Sequence, residues 1–331
     1  MKKIIKICIL GCGGVAKLHA TVARTLRKDL RLFFASRDIR KAQSYNRSYK
    51  GLGAFGSYEE ACASPDVDAV FDCTPHAFHL EHAQLAAENK KPILIEKPVT
   101  RTLEELTTLS EVVARAGTIS MVAENYYFKP VVKKIRSLIE SGAIGDPLFI
   151  ELNRANRSQV SGWRSDAEMM GGGALLEGGV HWINMIRSLG GPVSEVIAAQ
   201  PSRAYEKVAP FEDSLELLFR FSDGSIGKML HSWNITNRIF GLGLSKIHGT
   251  QGNIHFESNG IFALMTSRRK RFYMPGLFDI MGYRGMLQHF AECVRHNTPP
   301  KMSLARAQQD MEIIKAAYNS LDSKAFESVP G

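Results

Sequence analysis

From Lys3 to Ala123 the chain alternates β-branched apolar runs with stretches of helical period, and almost every run stops at glycine or at a polar cluster. The runs fall at Lys3–Leu10, Leu30–Ala35, Ala54–Phe55, Val67–Cys73, Pro92–Ile95 and Thr118–Ala123. Helices are predicted between them: from about Val15 to Arg27, through about Tyr49, from about Ser57, from Ala77 to Asn89, and from Leu103 to Ala116 behind the cap Thr102. Strands and helices alternating at this length specify a doubly wound parallel sheet. Ligands bind such a sheet beyond the carboxyl ends of its strands. The residues that close each run are therefore the first candidates for function.

The first run feeds into Gly11-Cys12-Gly13-Gly14-Val15-Ala16, a G-x-G-x-x-A turn that opens a helix. In a dinucleotide site Gly11 permits the tight turn, Gly13 lets backbone approach a pyrophosphate, and Ala16 keeps the helix close to the sheet. The positive end of the helix then faces the phosphates. The second run closes on Ser36-Arg37-Asp38. A carboxylate at that point suits the ribose 2′-hydroxyl of NAD, whereas a hydroxyl with an arginine suits the 2′-phosphate of NADP. Ser36 and Arg37 favour NADP(H); Asp38 keeps NAD(H) open, and capping of the next helix is the alternative role for Ser36 or Asp38.

The fourth run closes on Thr74-Pro75-His76, the fifth on Glu96-Lys97-Pro98 and the sixth on Glu124-Asn125-Tyr126-Tyr127. Taken alone, Lys97 reads as a solvated lysine at a strand end. It gains weight because other polar groups gather at the same edge. No acid or cysteine completes a recognisable ligand set with His76, His79 and His82, so they read as surface or helix-capping histidines, with no metal expected.

Beyond about Pro130 the pattern changes. A helix from Val131 to Ser141 leads to strand-like Leu148–Asn153, and further strands are expected at Val193–Ala199, Leu215–Phe221, Ile226–Trp233, Leu242–His248 and Asn253–Glu257. Turns such as Ser222-Asp223-Gly224-Ser225 and Gly249-Thr250-Gln251-Gly252 join neighbours as hairpins, which predicts a large, mostly antiparallel open sheet. The fold class is α/β, with a cofactor-binding domain over 1–126 and a substrate-binding and oligomerisation domain over 127–331. A late amphipathic helix, about 304–321, is expected to pack back on the first domain.

In this second half, a helix beginning near Ala174 would place Glu177, His181 and Asn184 at i, i+4 and i+7, on one face. A carboxylate beside an imidazole tunes its proton affinity and fixes its orientation, as general acid/base work requires. A merely structural Glu/His pair is the alternative; the glycines flanking Glu177 point to something that must approach closely. Arg154, Arg157, Trp163, Arg164 and Asp166 are candidate substrate contacts or, alternatively, parts of a polar interdomain loop.

Composition bounds these readings. At 331 residues and 44% hydrophobic, the chain buries a core large enough for about two domains. No apolar run approaches the roughly 18 residues that span a bilayer. The opening Met1-Lys2-Lys3-Ile4-Ile5-Lys6 lacks a signal-peptide cleavage pattern, which reads as a cytoplasmic start. Five cysteines show neither CxxC nor zinc spacing and read as reduced thiols. The net charge of +9 is concentrated only at Ser267-Arg268-Arg269-Lys270-Arg271, without an aromatic platform, so no nucleic-acid partner is expected.

Together the glycine turn Gly11 to Ala16, Thr74-Pro75 with His79, Glu96-Lys97-Pro98, and Gly171-Gly172-Gly173-Ala174-Leu175-Leu176 with His181 resemble the glucose-fructose oxidoreductase, inositol dehydrogenase and MocA (Gfo/Idh/MocA) family of dehydrogenases over nearly the whole chain. The resemblance implies an N-terminal Rossmann domain, a C-terminal α/β domain that often oligomerises through its sheet as a homodimer or homotetramer, and hydride transfer between NAD(P) and a carbon bearing a hydroxyl in a sugar, polyol or cyclitol. It implies Lys97 near the reacting oxygen, His181 exchanging its proton, and Glu177 where the family usually has Asp. It also implies cofactor contacts from Gly11, Cys12, Gly13, Gly14, Val15, Ala16, Ser36, Arg37, Thr74, Pro75, His76, His79, Glu96, Lys97 and Asn125, and substrate contacts from Lys97, Tyr126, Arg154, Trp163, Arg164, Glu177 and His181. Asn184 replaces a commonly acidic residue, and Tyr127 stands where many members have Arg. A silent nucleotide-binding regulator, or a redox-neutral enzyme using bound nicotinamide transiently, remains the alternative.

Overall fold

The computed structural model describes residues 2–202, 211–235 and 243–330. The chain forms two compact units, Met1–Glu124 with Tyr283–Ala307, and Asn125–Gly282 with Gln308–Gly331.

In the first unit six strands, β1 (Ile5–Leu10), β2 (Leu30–Ala35), β3 (Ala54–Phe55), β4 (Ala69–Asp72), β5 (Ile93–Ile95) and β6 (Ser120–Val122), form one sheet in the order β3-β2-β1-β4-β5-β6. Every neighbouring pair is parallel. Strands sandwiched between helices are buried on both faces, which is why they read as unbroken apolar runs; β4 and β5 are buried throughout. Local chemistry sets the helix starts. The side chains of Asp38, Ser57 and Thr102 accept from the amides of Arg40, Glu60 and Glu105 and so cap the helices Ile39–Tyr49, Tyr58–Ala63 and Leu103–Ala116. The helix His79–Glu88 is preceded by the short 3₁₀ turn His76–Phe78. A helix absent from the sequence expectations, Tyr283–His296, belongs to this unit and buries Met286, Leu287, Phe290, Ala291 and Cys293.

In the second unit nine strands among the described residues form one sheet: β7 (Pro147–Ala155), β8 (Val193–Ala199), β9 (Ser214–Phe221), β10 (Ile226–Ser232), β11 (Leu244–Gly249), β12 (Gly252–Glu257), β13 (Ala263–Thr266), β14 (Lys270–Tyr273) and β15 (Glu327–Ser328). Their order is β14-β13-β12-β11-β7-β10-β9-β8-β15, and among the described residues only β7 and β10 run parallel. The expected strand from Leu242 begins at Leu244; Leu242 itself lies outside the described residues. Strand β9 alternates buried Leu215, Leu217, Phe219 and Phe221 with Glu216, Leu218 and Arg220 on the other side. The helix Val180–Gly190 packs on the buried side of β7 and β10. On other strands Phe149 and Leu244 are half exposed.

The helix Val180–Gly190 does not begin as a plain α-helix. A π-helical turn, Leu175–Gly179, precedes it. Asn184 Nδ2 donates to Asp310 Oδ2 at 2.7 Å and Arg187 Nε to Asp310 Oδ1 at 2.8 Å, both inside the unit. Removing the carboxylate would strand a buried guanidinium, so Asp310→Ala should lower stability by roughly 3–5 kcal/mol in equilibrium urea unfolding. A change under about 1 kcal/mol would show that Arg187 is solvated once released.

Candidate active site

At the carboxyl end of β1, Gly11 holds φ +90, and a Cβ there would lie 3.0 Å from Thr74 Cγ2 and 3.1 Å from the Cys73 carbonyl oxygen. Only glycine meets both demands. Gly13 precedes the helix Gly14–Ala23 with extended backbone; its side supplies no cap, and the first turn carries no acid. A Cβ built on Gly13 or Gly14 meets nothing within 4 Å. The first-turn amides, with the partial positive charge of the helix end, therefore face open space, as a pyrophosphate requires. Ala16 is fully buried against the sheet, and Cys12 keeps its proton, its thiol pushed up to about 11 by burial. At the end of β2, Asp38 accepts from the Arg40 amide at 3.0 Å as the helix cap, and Ser36 Oγ accepts from the Asp38 amide at 3.2 Å. The Arg37 guanidinium lies 5.7 Å from the Phe78 ring centroid, beside a cavity of about 140 Å³ that Ser57, Tyr58, Thr74 and Pro75 also line.

The three histidines after β4 correct the sequence reading: His76, His79 and His82 are all buried. Asp72, the last residue of β4, is fully buried and bonds His82 Nδ1 at 3.0 Å, while its other oxygen accepts from Thr74 N at 3.0 Å and Thr74 Oγ1 at 2.7 Å. Burial alone would raise the Asp72 carboxyl, yet the charges of His79 and His82 hold it below the usual carboxylate range. Burial works against the His82 cation, and the Asp72 carboxylate more than offsets it, raising the imidazole above its ordinary value. His79 places Nδ1 3.0 Å from the Pro98 carbonyl and Nε2 3.1 Å from the Thr74 carbonyl, bridging the turns that follow β4 and β5.

Glu96, at the end of β5, is buried and pairs with His19 from the inner face of the helix Gly14–Ala23; its second oxygen accepts from the Lys97 amide at 3.1 Å. Burial pushes the Glu96 carboxyl up, and the His19 hydrogen bond and nearby cations bring it below its usual range. Lys97 is half-buried, and the Lys97–Pro98 peptide is cis.

Within the second unit, Arg164 Nε donates to Glu177 Oε1 at 2.8 Å, and the Arg164 guanidinium covers the Trp163 ring at 4.5 Å. His181, four residues beyond Glu177, stacks on Tyr126 with centroids 4.3 Å apart and planes at 10°. Lys129 is fully buried, with Nζ 3.3 Å from the Tyr126 ring centroid. Asn184 is also fully buried, held by Asp310. Asn125 donates to the Met281 carbonyl at 2.7 Å, Arg154 donates to Asn259 at 3.0 Å, and Asp166 caps the short helix Ala167–Met170.

Two family descriptions match this chain: "Oxidoreductase family, NAD-binding Rossmann fold" over residues 5–124 and "GFO/IDH/MocA C-terminal domain" over residues 132–255. The chain belongs to the Gfo/Idh/MocA oxidoreductases. Among its curated relatives, myo-inositol 2-dehydrogenase of Thermotoga maritima is 25% identical, over 97% of this chain and 97% of the relative. D-xylose 1-dehydrogenase [NADP(+)] of Haloarcula marismortui is 25% identical, over 82% of this chain and 77% of the relative. A solved structure of levoglucosan dehydrogenase in complex with NADH and levoglucosan shares the fold at TM-score 0.90 and 24% identity, covering 99% of this chain and 100% of that one.

This oxidoreductase therefore has an NAD(P)-binding domain and dehydrogenase relatives acting on sugars and cyclitols. The open glycine turn fits the cofactor. Sequence reasoning missed His19, Lys129 and His231; His19 and His231 were titratable residues at core-facing positions of a helix and a strand, whereas Lys129, at the junction before Pro130, gave no periodic signal.

The Asp72–His82 pair gives a pH-dependent prediction. The His82 contribution is complete below about pH 6.5 and is lost as pH rises through its raised folded value. The Asp72 contribution is present above the ordinary carboxylate range and is lost as pH falls through its lowered folded value. Substituting His82→Asn should lower unfolding stability by about 3 kcal/mol near pH 6 and by clearly less at pH 9. An equal loss at both would show that folded His82 is neutral.

Proposed function

We propose that this chain is an NADP(H)-dependent oxidoreductase that transfers hydride between the nicotinamide and a hydroxyl or keto carbon of a sugar, sugar derivative or cyclitol. The observation that carries the reading is one sheet edge that bears both the open helix end after Gly13 and, two strands away on β5, Lys97 braced by buried Glu96. NAD(P), when bound, supplies the hydride acceptor or donor. The turn Gly11 to Ala16 would hold its pyrophosphate, and Thr74, Pro75, His76 and Asn125 are assigned to the same cofactor.

In oxidation His181 takes the hydroxyl proton, and in reduction it returns it. Lys97 stabilises the developing alkoxide charge. Glu177, four residues before His181 and itself positioned by Arg164, orients the imidazole, and Tyr126 holds its plane by stacking. Arg154, Trp163, Arg164 and Tyr126 are assigned to the substrate. NADP preference is supported by the diversion of the Asp38 carboxylate to a helix cap, which leaves Ser36 and Arg37 at the strand end. The Haloarcula relative is named for NADP(+), whereas the levoglucosan dehydrogenase structure contains NADH.

We assign a homodimer or homotetramer to the exposed side of the nine-stranded sheet, on which Phe149 stands, and a cytoplasmic location, supported by five free cysteines. Phe149→Glu should convert the assembly to monomers in sedimentation equilibrium; unchanged mass would exclude that face. Nicotinamide absorbance against a panel of sugars, cyclitols and their keto forms tests the chemistry. Lys97→Ala should lower kcat by roughly 10²–10⁴. Arg37→Ala should raise KM for NADP roughly tenfold or more, since a hydrogen bond to a charged group contributes about 1.5–3 kcal/mol, and should leave NAD nearly untouched. An equal loss with both cofactors would refute the phosphate assignment.

A further inference from the structure

Strand β10 turns Gly227, Met229 and His231 toward the interior. His231 is 3% exposed, and among the described residues no hydrogen bond closes at either ring nitrogen, although the Ala174 backbone lies near enough to act on the ring. A buried polar ring with an open hydrogen-bonding position is destabilising unless something completes it. Trp233, two residues on, is 8% exposed. A Cβ built on Gly178 would lie 3.2 Å from His231 Nε2 and 3.3 Å from Trp233 Nε1. Two ring nitrogens from one strand thus converge on the bare side of Gly178, which is half-exposed although Glu177 and Gly179 on either side of it are buried. Across the parallel pairing, His231 is the register partner of Arg154 on β7.

We propose that His231 Nε2 and the Trp233 indole N–H form a subsite over Gly178 that binds one non-reacting hydroxyl of a neutral sugar or polyol substrate. The subsite rests on the functional reading above and narrows it. Burial, with the Arg154 charge behind it, pushes the His231 imidazole down to about 3, so it is neutral across the working range of an enzyme. A neutral imidazole presents one acceptor and one donor, and an indole only donates. A hydroxyl accepts from Trp233 and either donates to or accepts from Nε2, so it serves both imidazole tautomers. An ammonium has no lone pair for the indole, and the ring offers an anion no charge. The bare glycine is part of the site, because any side chain at 178 would press on both nitrogens.

The test combines spectroscopy and kinetics on the full chain. The three tryptophans, Trp163, Trp182 and Trp233, give three indole signals in ¹⁵N-labelled protein, assigned with single Trp→Phe variants. Titration with D-xylose, myo-inositol and levoglucosan should move the Trp233 signal for each compound that is turned over. Trp233→Phe, which keeps the ring and removes the donor, should raise KM for that compound roughly tenfold, with kcat changed less than threefold. Gly178→Ala should do the same while leaving both nitrogens in place, and it serves if the tryptophan variant misfolds. A compound that is turned over without moving the Trp233 signal, and with KM unchanged in both variants, overturns the subsite alone and leaves the pair holding only water. If none of the three compounds is turned over or moves the signal, the sugar-oxidoreductase reading falls and the subsite falls with it.

Discussion

The carboxyl edge of the parallel sheet depends on charge brought inside the protein. Asp72 and Glu96 end two neighbouring strands and are both buried. A buried carboxylate is tolerated only when paired and fully hydrogen-bonded. His82 and Thr74 satisfy Asp72, and His19 with the Lys97 amide satisfies Glu96. Each partner is also a fastener. Thr74 is the residue that Gly11 must clear, His19 ties the glycine-turn helix to β5, and His79 joins the turns after β4 and β5. The position of Lys97 is therefore set by interior electrostatics reaching across three strands.

The second unit solves a similar problem with rings. Lys129 has no solvent exposure, and its ammonium is held against the face of Tyr126. His181 stacks nearly parallel on the same ring, so cation and imidazole must occupy opposite faces. A desolvated ammonium gains more from a π face than an exposed one. The plane of His181 is thus fixed through Tyr126 by a residue that never meets solvent, while Asp310 locks the next turns of the same helix through Asn184 and Arg187.

Much of this was legible in the sequence wherever the signal was local. The six runs, the glycine turn, Glu96-Lys97-Pro98 and the hairpins of the second sheet each carry their own periodicity or punctuation, and all take the expected form. Pairing across the fold was not legible. His82 looked like a surface residue because its acid, Asp72, lies ten positions away on a strand, and Glu96 showed no sign of His19, 77 positions earlier. Asp38 carried two meanings that only the cap geometry separates. The short strands β13, β14 and β15 have too few residues to show an alternation. Glu177, His181 and Asn184 do share one segment, and Arg164, Tyr126 and Asp310, each distant in sequence, are among their neighbours.

The segment begins with the π-helical turn at Leu175–Gly179. A π turn is geometrically a one-residue insertion into an α-helix. The turn itself carries Glu177 and Gly178, and His181 follows on the first turn of the helix beyond it, so the residues assigned to a ligand lie in and just past the π turn. Gaining or losing one residue there would swing Glu177 by about 100° around the helix axis relative to His181, while the helix beyond stayed held by Asp310. The turn acts as a rotary joint, through which a single codon insertion or deletion would re-aim Glu177 against His181.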